Sequence, residues 1–342
     1  MPKNLFTRRF LLAATALTAA TTMLTGCAGE GSGGANAAES KTLNIDFATY
    51  NPLSLVLKDK GWLEATLKDQ GVTVKWVQSA GSNKANEALR AGAIDVGSTA
   101  GSAALLARSN GADIKTIAQY SQPEWAALVV AKESPIKEVT DLKGKQVAAT
   151  KGTDPYFFLL QALEQAGLKA SDVTVQNLQH ADGRSALENG SVDAWSGLDP
   201  IMAGAEQKGA QLIYRNLDFN TYGALNATED FLAKSPEIAQ TVVDAYQKAR
   251  EWAGDNEAET AAILADVAGL ETPVAEKVIL ERSNLDVDVV PGAPLLKVLT
   301  AVGPIFVESK DVDSQDQVDK ALNSLLDDSF AKKADSAKIK GS

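Results

Sequence analysis

Few residues in this chain could do acid–base or metal chemistry. Its 342 residues include one cysteine, Cys27, and one histidine, His180. An internal disulfide is therefore impossible, and a zinc site built from Cys and His lacks the ligands it needs. A cation site made of carboxylates alone stays open. His180 has Asp182 nearby and could act as a base, although a lone histidine ahead of a helix is ordinarily a polar surface residue. The chain contains neither a Gly-x-Ser-x-Gly elbow nor a phosphate loop ending in Gly-Lys-Ser/Thr. Asp286-Val287-Asp288 lacks the glycine and the spacing of a calcium loop, and Asp311-Val312-Asp313 reads as a solvated turn.

What the sequence does offer is a way to hold an anion without a cation. Tyr50-Asn51, Gly81-Ser82, Ser98 to Ser102 and Ser121-Gln122 are strand-end loops, most of them feeding a helix start. A helix start carries about half a positive charge and a set of unpaired N–H groups, so it favours an oxyanion. Ser82, Thr99 and Ser102 each have two readings: as caps of their own helices, or as donors to a ligand. Several such loops along one sheet edge favour the second.

These loops need a frame. Leu43-Asn44-Ile45-Asp46-Phe47 alternates as a strand does, and Asn51 caps a helix whose first residue is Pro52. Strands at 72–77, 94–97, 115–120 and 126–131 alternate with helices ending at Arg90 and Arg108. The alternation restarts after Ser134-Pro135, with Lys151-Gly152-Thr153-Asp154-Pro155 leading into a helix. This pattern predicts an α/β chain with parallel-type sheets covered on both faces, and ligands beyond the carboxyl ends of the strands.

Part of the pattern is written twice. Ala88 to Thr99 reads as a helix end, a glycine stop, a buried strand and a small polar turn. Ala186 to Gly197, 98 positions later, keeps its Ala, Leu, Gly, Asp and Ser, with Val192 answering Ile94. Two lobes of related design are expected. Of the two copies, Gly97-Ser98-Thr99 offers small donors, while Trp195-Ser196-Gly197 offers a flat apolar wall. From Thr228 onward the chain reads as helices, including 236–253, 257–267, 273–281, 294–306 and 315–326, expected to pack back on the first lobe. The polar tail after Ser329 is expected to fray.

The front of the chain has its own logic. Thr7-Arg8-Arg9-Phe10-Leu11-Leu12 opens an apolar run that ends near Leu24, shorter than the roughly 20 residues of a spanning helix. It suits the central part of an export signal, by a twin-arginine or a general secretory route. Leu24-Thr25-Gly26-Cys27 is similar to a lipobox, which implies cleavage before Cys27 and lipid attachment to it. Residues 27–40 are rich in Gly, Ala, Ser and Asn, as in a flexible tether. The expected product is an extracytoplasmic protein touching the membrane through lipid alone. The net charge is −11, and the first 26 residues are basic, so the remainder is more acidic still. That excludes nucleic acid and charge-driven adsorption to anionic lipid, and an anionic ligand would have to be held by local donors.

A run of local features resembles the aliphatic sulfonate-binding proteins of ABC transporters, within the wider nitrate, taurine and sulfonate solute-binding family. In the first half these are Asn51-Pro52, Lys60-Gly61-Trp62-Leu63-Glu64, Ala80-Gly81-Ser82 and Gly97-Ser98-Thr99. Ser134-Pro135-Ile136, Asp141-Leu142-Lys143-Gly144-Lys145, Lys151-Gly152, Gly190 to Trp195 and Asp199-Pro200 follow in the same order. The resemblance spans residues 43–225, and the helical tail fits only in type.

It implies a type II periplasmic-binding-protein fold: two α/β lobes, a hinge of two crossing strands near 126–130 and 222–226, and a helical C-terminal region on the first lobe. The expected division is residues 1–26 as signal peptide, 27–40 as tether, 41–126 plus 224–342 as lobe 1, and 127–223 as lobe 2. It also implies a monomer without cofactor that closes on a small organic anion and docks on a membrane permease. Carried over by position, Ser82, Ser98, Thr99, Ala100 and Thr153 would contact the ligand, with Trp195 and Asp199 lining the second lobe. Tyr50, Asn51 and Gln122 join them from the loops already named.

The sequence departs from the family where small polar residues usually follow Lys-Gly. Here Thr153-Asp154-Pro155-Tyr156 stands instead. Asp154 before Pro155 has the look of a helix N-cap whose carboxylate would compete with an anion. Either the anionic head sits against the first lobe alone, or the ligand carries a cationic or hydroxylated part that meets Asp154. Tyr156 and Phe157 could cover an apolar tail. Relatives on the same frame bind nitrate, bicarbonate, taurine or pyrimidine precursors. Two other classes also stay open: a ligand-sensing lipoprotein, and an extracytoplasmic enzyme using His180. Arg184 is the candidate for an unrecognised cation, with a helix-surface position as its plainer reading.

Overall fold

The structure, a computed structural model, describes residues 41–341. The signal peptide, the tether and Cys27 lie outside the described residues.

The first half runs β1 (Lys41–Phe47), α1 (Pro52–Lys60), α2 (Trp62–Leu67), β2 (Val72–Gln78), α3 (Ser82–Arg90), β3 (Val96–Ala100), α4 (Gly101–Ser109) and β4 (Ile114–Ser121). The middle runs β5 (Ala126–Val130), β6 (Gln146–Ala149), α5 (Asp154–Gln165), β7 (Thr174–Asn177), α6 (His180–Glu188), β8 (Ala194–Leu198), α7 (Ile201–Gln207) and β9 (Gln211–Arg215). β10 (Gly223–Thr228) precedes six helices: α8 (Glu229–Lys234), α9 (Pro236–Asp255), α10 (Glu257–Ala268), α11 (Thr272–Lys277), α12 (Ala293–Glu308) and α13 (Gln315–Leu322).

Two five-stranded sheets result, in the orders β2-β1-β3-β10-β4 and β7-β6-β8-β5-β9. Position for position they correspond. In each, the fourth strand comes from across the molecule and runs antiparallel to both neighbours: β10 between β3 and β4, β5 between β8 and β9. β3, β5 and β8 are buried along their whole length, as expected of central strands covered by helices on both faces.

The repeated stretch explains this likeness at the level of single bonds. Gly92 and Gly190 both take a left-handed φ, +64° and +75°, which ends α3 and α6 at low steric cost. Behind them the Ala93 N–H donates to Ala88 O and the Ser191 N–H to Ala186 O, both at 2.9 Å. Asp95 then ties its turn to β1, accepting the Asn44 N–H at 2.7 Å. Asp193 does the same to β6 through the Gln146 N–H at 2.8 Å.

Three expectations need correction. The crossings are not in strands. β5 pairs wholly within the second sheet and β10 wholly within the first, so the chain crosses at Gln122–Trp125 and returns at Asn220–Tyr222. The helix expected to run to Glu281 changes to π geometry over Val278–Arg282, which turns Arg282 inward. The tail does not fray: from its start at Ala331 to Ile339 near its end it has buried residues, Lys248 Nζ donates to Ile339 O, and the Lys340 N–H donates to Thr66 Oγ1 at 2.9 Å. The apolar spacing in the tail is too sparse to reveal that packing.

Candidate functional site

The carboxyl ends of β1, β2, β3 and β6 bring the loops ahead of α1, α3, α4 and α5 toward the two crossings. On the first-sheet side, the predicted hydroxyls mostly serve the scaffold. Ser98 donates its N–H and Oγ–H to Asp46 at 2.8 and 3.0 Å. Asp46 has no exposure, and burial pushes its carboxyl up to about 7 against the pull of bonds from Ser79 and Ser98. Tyr50 donates to Ser98 O at 2.9 Å. Asn51 caps α1 through the Ser54 N–H and donates to the Tyr246 hydroxyl. Thr99 Oγ1 donates to Ala100 O and accepts from Asn226. For Ser98, Thr99 and Asn51, the scaffold reading accounts for the side chain.

Ser82 differs. Its Oγ accepts the Ala100 N–H at 2.9 Å, which joins the starts of α3 and α4 and leaves its own hydroxyl proton available. The first N–H groups of α3 have no acceptor within the helix.

Asp154 is where the two sides meet. It does not cap α5. Thr153 is the cap residue, and its Oγ1 turns back to Thr150 O at 2.6 Å. The Asp154 carboxylate reaches across instead. Oδ1 accepts from Ser102 Oγ and from Thr221 Oγ1, the latter at 2.5 Å. Oδ2 accepts the Thr221 N–H at 2.8 Å and the Trp125 Nε1–H at 3.0 Å. The side chain is 1% exposed. Burial pushes its carboxyl above the usual carboxylate range, and these bonds offset only part of that rise.

The donors are held firmly. Thr221 Oγ1 also accepts the Ser102 N–H at 2.7 Å, and the Gly101 N–H reaches Thr221 O and Tyr222 O. A Cβ on Gly101 would stand 2.3 Å from Thr221 O, so only glycine lets the return crossing lie on the start of α4. Tyr222 takes a left-handed φ of 56°, a strained conformation that these contacts hold in place.

The other second-sheet residues are placed differently from the expectation. Trp195 is fully buried on the α6 face of β8, its Nε1 against Gly183, so it belongs to the lobe's core and not to a cleft wall. Asp199, two residues ahead of α7, accepts the Ala203 N–H of its first turn and pairs with Arg282 at 3.1 Å. Burial pushes the Asp199 carboxyl up to about 6 although Arg282 lies beside it. Arg282, 1% exposed on its side chain, also reaches Glu206 at 2.6 Å. Arg184 is half-buried, paired with Glu188 at 2.8 Å and donating to Gly204 O, whereas Arg282 is the fully buried cation beside Asp199.

Tyr156 packs its ring on Phe157, which in turn meets Phe306 of α12 at 4.6 Å. Gln122 is half-buried, and its N–H donates to Asn284 O. His180 is buried at the first turn of α6, with Nδ1 3.2 Å from Thr150 Oγ1 and Nε2 facing Gly81.

Sequence reasoning missed Thr221, Trp125 and Arg282, and offered Ser102 as a helix cap or as a donor to a ligand without reaching its contact with Asp154. One signal was available for Arg282: with Val274, Ala275, Val278 and Ile279 it falls on one apolar stripe. No local signal marks Thr221 or Trp125, since both matter only once the crossings are placed.

Between Tyr50, Trp125, Asp199 and Arg282 the cleft narrows to a cavity of about 10 Å³, the scale of one water. A larger molecule does not fit between these side chains as they stand. Among the described residues, no group of three or more His, Cys, Asp or Glu is placed to hold a metal. No described helix is long and apolar enough to cross a membrane.

Comparison with known proteins agrees with this frame. The family profile described as NMT1/THI5 like matches residues 53–260. An aliphatic sulfonates-binding protein of Bacillus subtilis (strain 168) is 30% identical over 318 residues, 91% of this chain and 93% of its own length. Its namesake in Escherichia coli (strain K12) is 35% identical over 204 residues, 59% of this chain, and that match spans 64% of the E. coli protein. Among solved structures, the alkanesulfonate-binding protein SsuA of Xanthomonas axonopodis pv. citri, bound to MOPS, superposes with a TM-score of 0.75 at 26% identity. That superposition covers 83% of this chain and 99% of the other. With a profile match over more than half of its length, the chain belongs to the NMT1/THI5-like family and carries the periplasmic-binding-protein fold.

Proposed function

We propose that this protein is an extracytoplasmic solute-binding lipoprotein that captures a small organic anion, an aliphatic sulfonate, and delivers it to an ABC importer. The observation that carries the reading is the set of neutral donors from Ser102, Thr221 and Trp125, converging on one carboxylate between the two sheets. Such a set suits a monoanionic oxyanion: charge-assisted bonds from neutral donors are strong when water is excluded, and no cation is needed. Arg282 is already committed to Asp199 and Glu206. The names of the Bacillus, Escherichia and Xanthomonas relatives support sulfonate as the head group.

In this reading residues 41–121 plus 223–342 and residues 126–219 move as two lobes, each a sheet with its helices. They part at Gln122–Trp125 and Asn220–Tyr222 and close on the ligand. Ser82 and the first N–H groups of α3 add donors from the first lobe. The lipid on Cys27 keeps the monomer beside its permease. The chain is not an enzyme in this reading: its only histidine is buried with its pKa pushed down to about 4, which makes it a poor base near neutral pH.

A calorimetric panel of 1-butanesulfonate, taurine, nitrate, bicarbonate and a thiamine-type pyrimidine tests the reading. Alkanesulfonates are expected to bind near micromolar, about −8.2 kcal/mol. Binding of nitrate, bicarbonate or the pyrimidine without alkanesulfonates would overturn it.

A further inference from the structure

Asp154 already makes every bond its carboxylate can use. Each oxygen takes two donors: Ser102 Oγ and Thr221 Oγ1 on Oδ1, the Thr221 N–H and Trp125 Nε1 on Oδ2. An ionised carboxylate accepts about four bonds in all. It therefore has nothing left for a ligand's ammonium or hydroxyl, and the expectation that it meets a cationic part of the ligand loses its footing. Its partners lie elsewhere in the fold: Ser102 opens α4 on the first-sheet side, and Trp125 and Thr221 sit in the two crossings. One side chain of α5 thus ties the second lobe to the first lobe and to both hinge segments. The four donors are neutral and buried, so each would be costly to leave without an acceptor.

We propose that Ser102, Thr221 and Trp125 form an oxyanion subsite whose resident occupant is the chain's own Asp154, and that a ligand's anionic head enters it by exchange with that carboxylate. As the lobes part, Asp154 leaves with α5 and regains water. The incoming head takes the Oγ–H groups of Ser102 and Thr221, the Thr221 N–H and the Trp125 Nε1–H, and the lobes close with Asp154 turned aside. The unliganded protein is then held closed by an internal competitor, and its affinity is lowered by the strength of that contact. The identity of the incoming head rests on the solute-binding reading above, whereas the subsite and its occupant do not.

The test uses D154S, which empties the subsite, and D154N, which keeps the shape but turns an NH₂ toward two of the four donors. Thermal melts are recorded in sodium formate and in sodium chloride at equal ionic strength, and 1-butanesulfonate is titrated into each protein. D154S is expected to melt below wild type and to recover a measurable part of the loss in formate, while wild type is indifferent to the choice of anion. 1-Butanesulfonate is expected to bind D154S at least tenfold more tightly than wild type. D154N, with its donors facing an NH₂, is expected to bind more tightly than wild type and to gain less from formate than D154S. If D154S does not fold, the D154N titration and melts decide by the same comparison with wild type. A formate response equal in wild type and variant overturns the proposal, as does sulfonate binding that is unchanged or weaker in the variants. If 1-butanesulfonate binds none of the proteins, the sulfonate reading fails, and the formate response alone then decides for or against the subsite.

Discussion

His180 shows how one residue's surroundings set both its chemistry and its effect on stability. Burial at the first turn of α6 pushes its imidazole from 6.5 down to about 4. A helix N-terminus also disfavours a cation. The folded state therefore binds this proton less readily than the unfolded state does. The sign follows: the contribution of neutral His180 is fully present above about pH 6.5 and is lost as the pH falls toward 4. Melts of wild type and H180Q between pH 7.5 and 4.5 should show wild type losing more stability than the variant on acidification. Parallel pH curves for the two would contradict the burial argument. In the sequence His180 reads as a polar surface residue, because nothing local reveals that Gly81, from another lobe, closes over it. Asp154 fails to be legible for the same reason. Its place before Pro155 announces a cap, whereas its partners are Ser102, Trp125 and Thr221, far away in the chain.

Elements were easier to read where the signal is local. Asn51-Pro52 gave the start of α1, and the paired Gly92 and Gly190 gave the ends of α3 and α6. The repeated Asp95 and Asp193 proved to hold equivalent turns to β1 and β6. Legibility failed where a helix changes its geometry. The π turn over Val278–Arg282 follows α11 and places Arg282 against Asp199 and Glu206, joining the C-terminal helices to α7. Removing one partner of a buried pair leaves the other charge without compensation. R282M should therefore cost about 3–5 kcal/mol in urea unfolding, and D199N in the same chain should restore part of it. A cost below about 1 kcal/mol for R282M would show that water reaches Asp199 and that the contact is not a buried one.

At the scale of the molecule, the sequence disclosed two related lobes because the repeat records them. It did not disclose how they are held together. The contacts between them come from residues remote in the chain: Asp154 on Ser102 and Thr221, Arg282 on Asp199, and Phe157 on Phe306. A ligand can shift such an assembly only by binding the closed form better than the open one, and better than the internal carboxylate that already fills the subsite. The most direct measurement is a crystal structure of the protein grown with 1-butanesulfonate. The account predicts the sulfonate head within hydrogen-bond distance of Ser102 Oγ, Thr221 Oγ1 and Trp125 Nε1, with the Asp154 carboxylate displaced from all three. A sulfonate bound elsewhere, with Asp154 still on Ser102, Thr221 and Trp125, would contradict it.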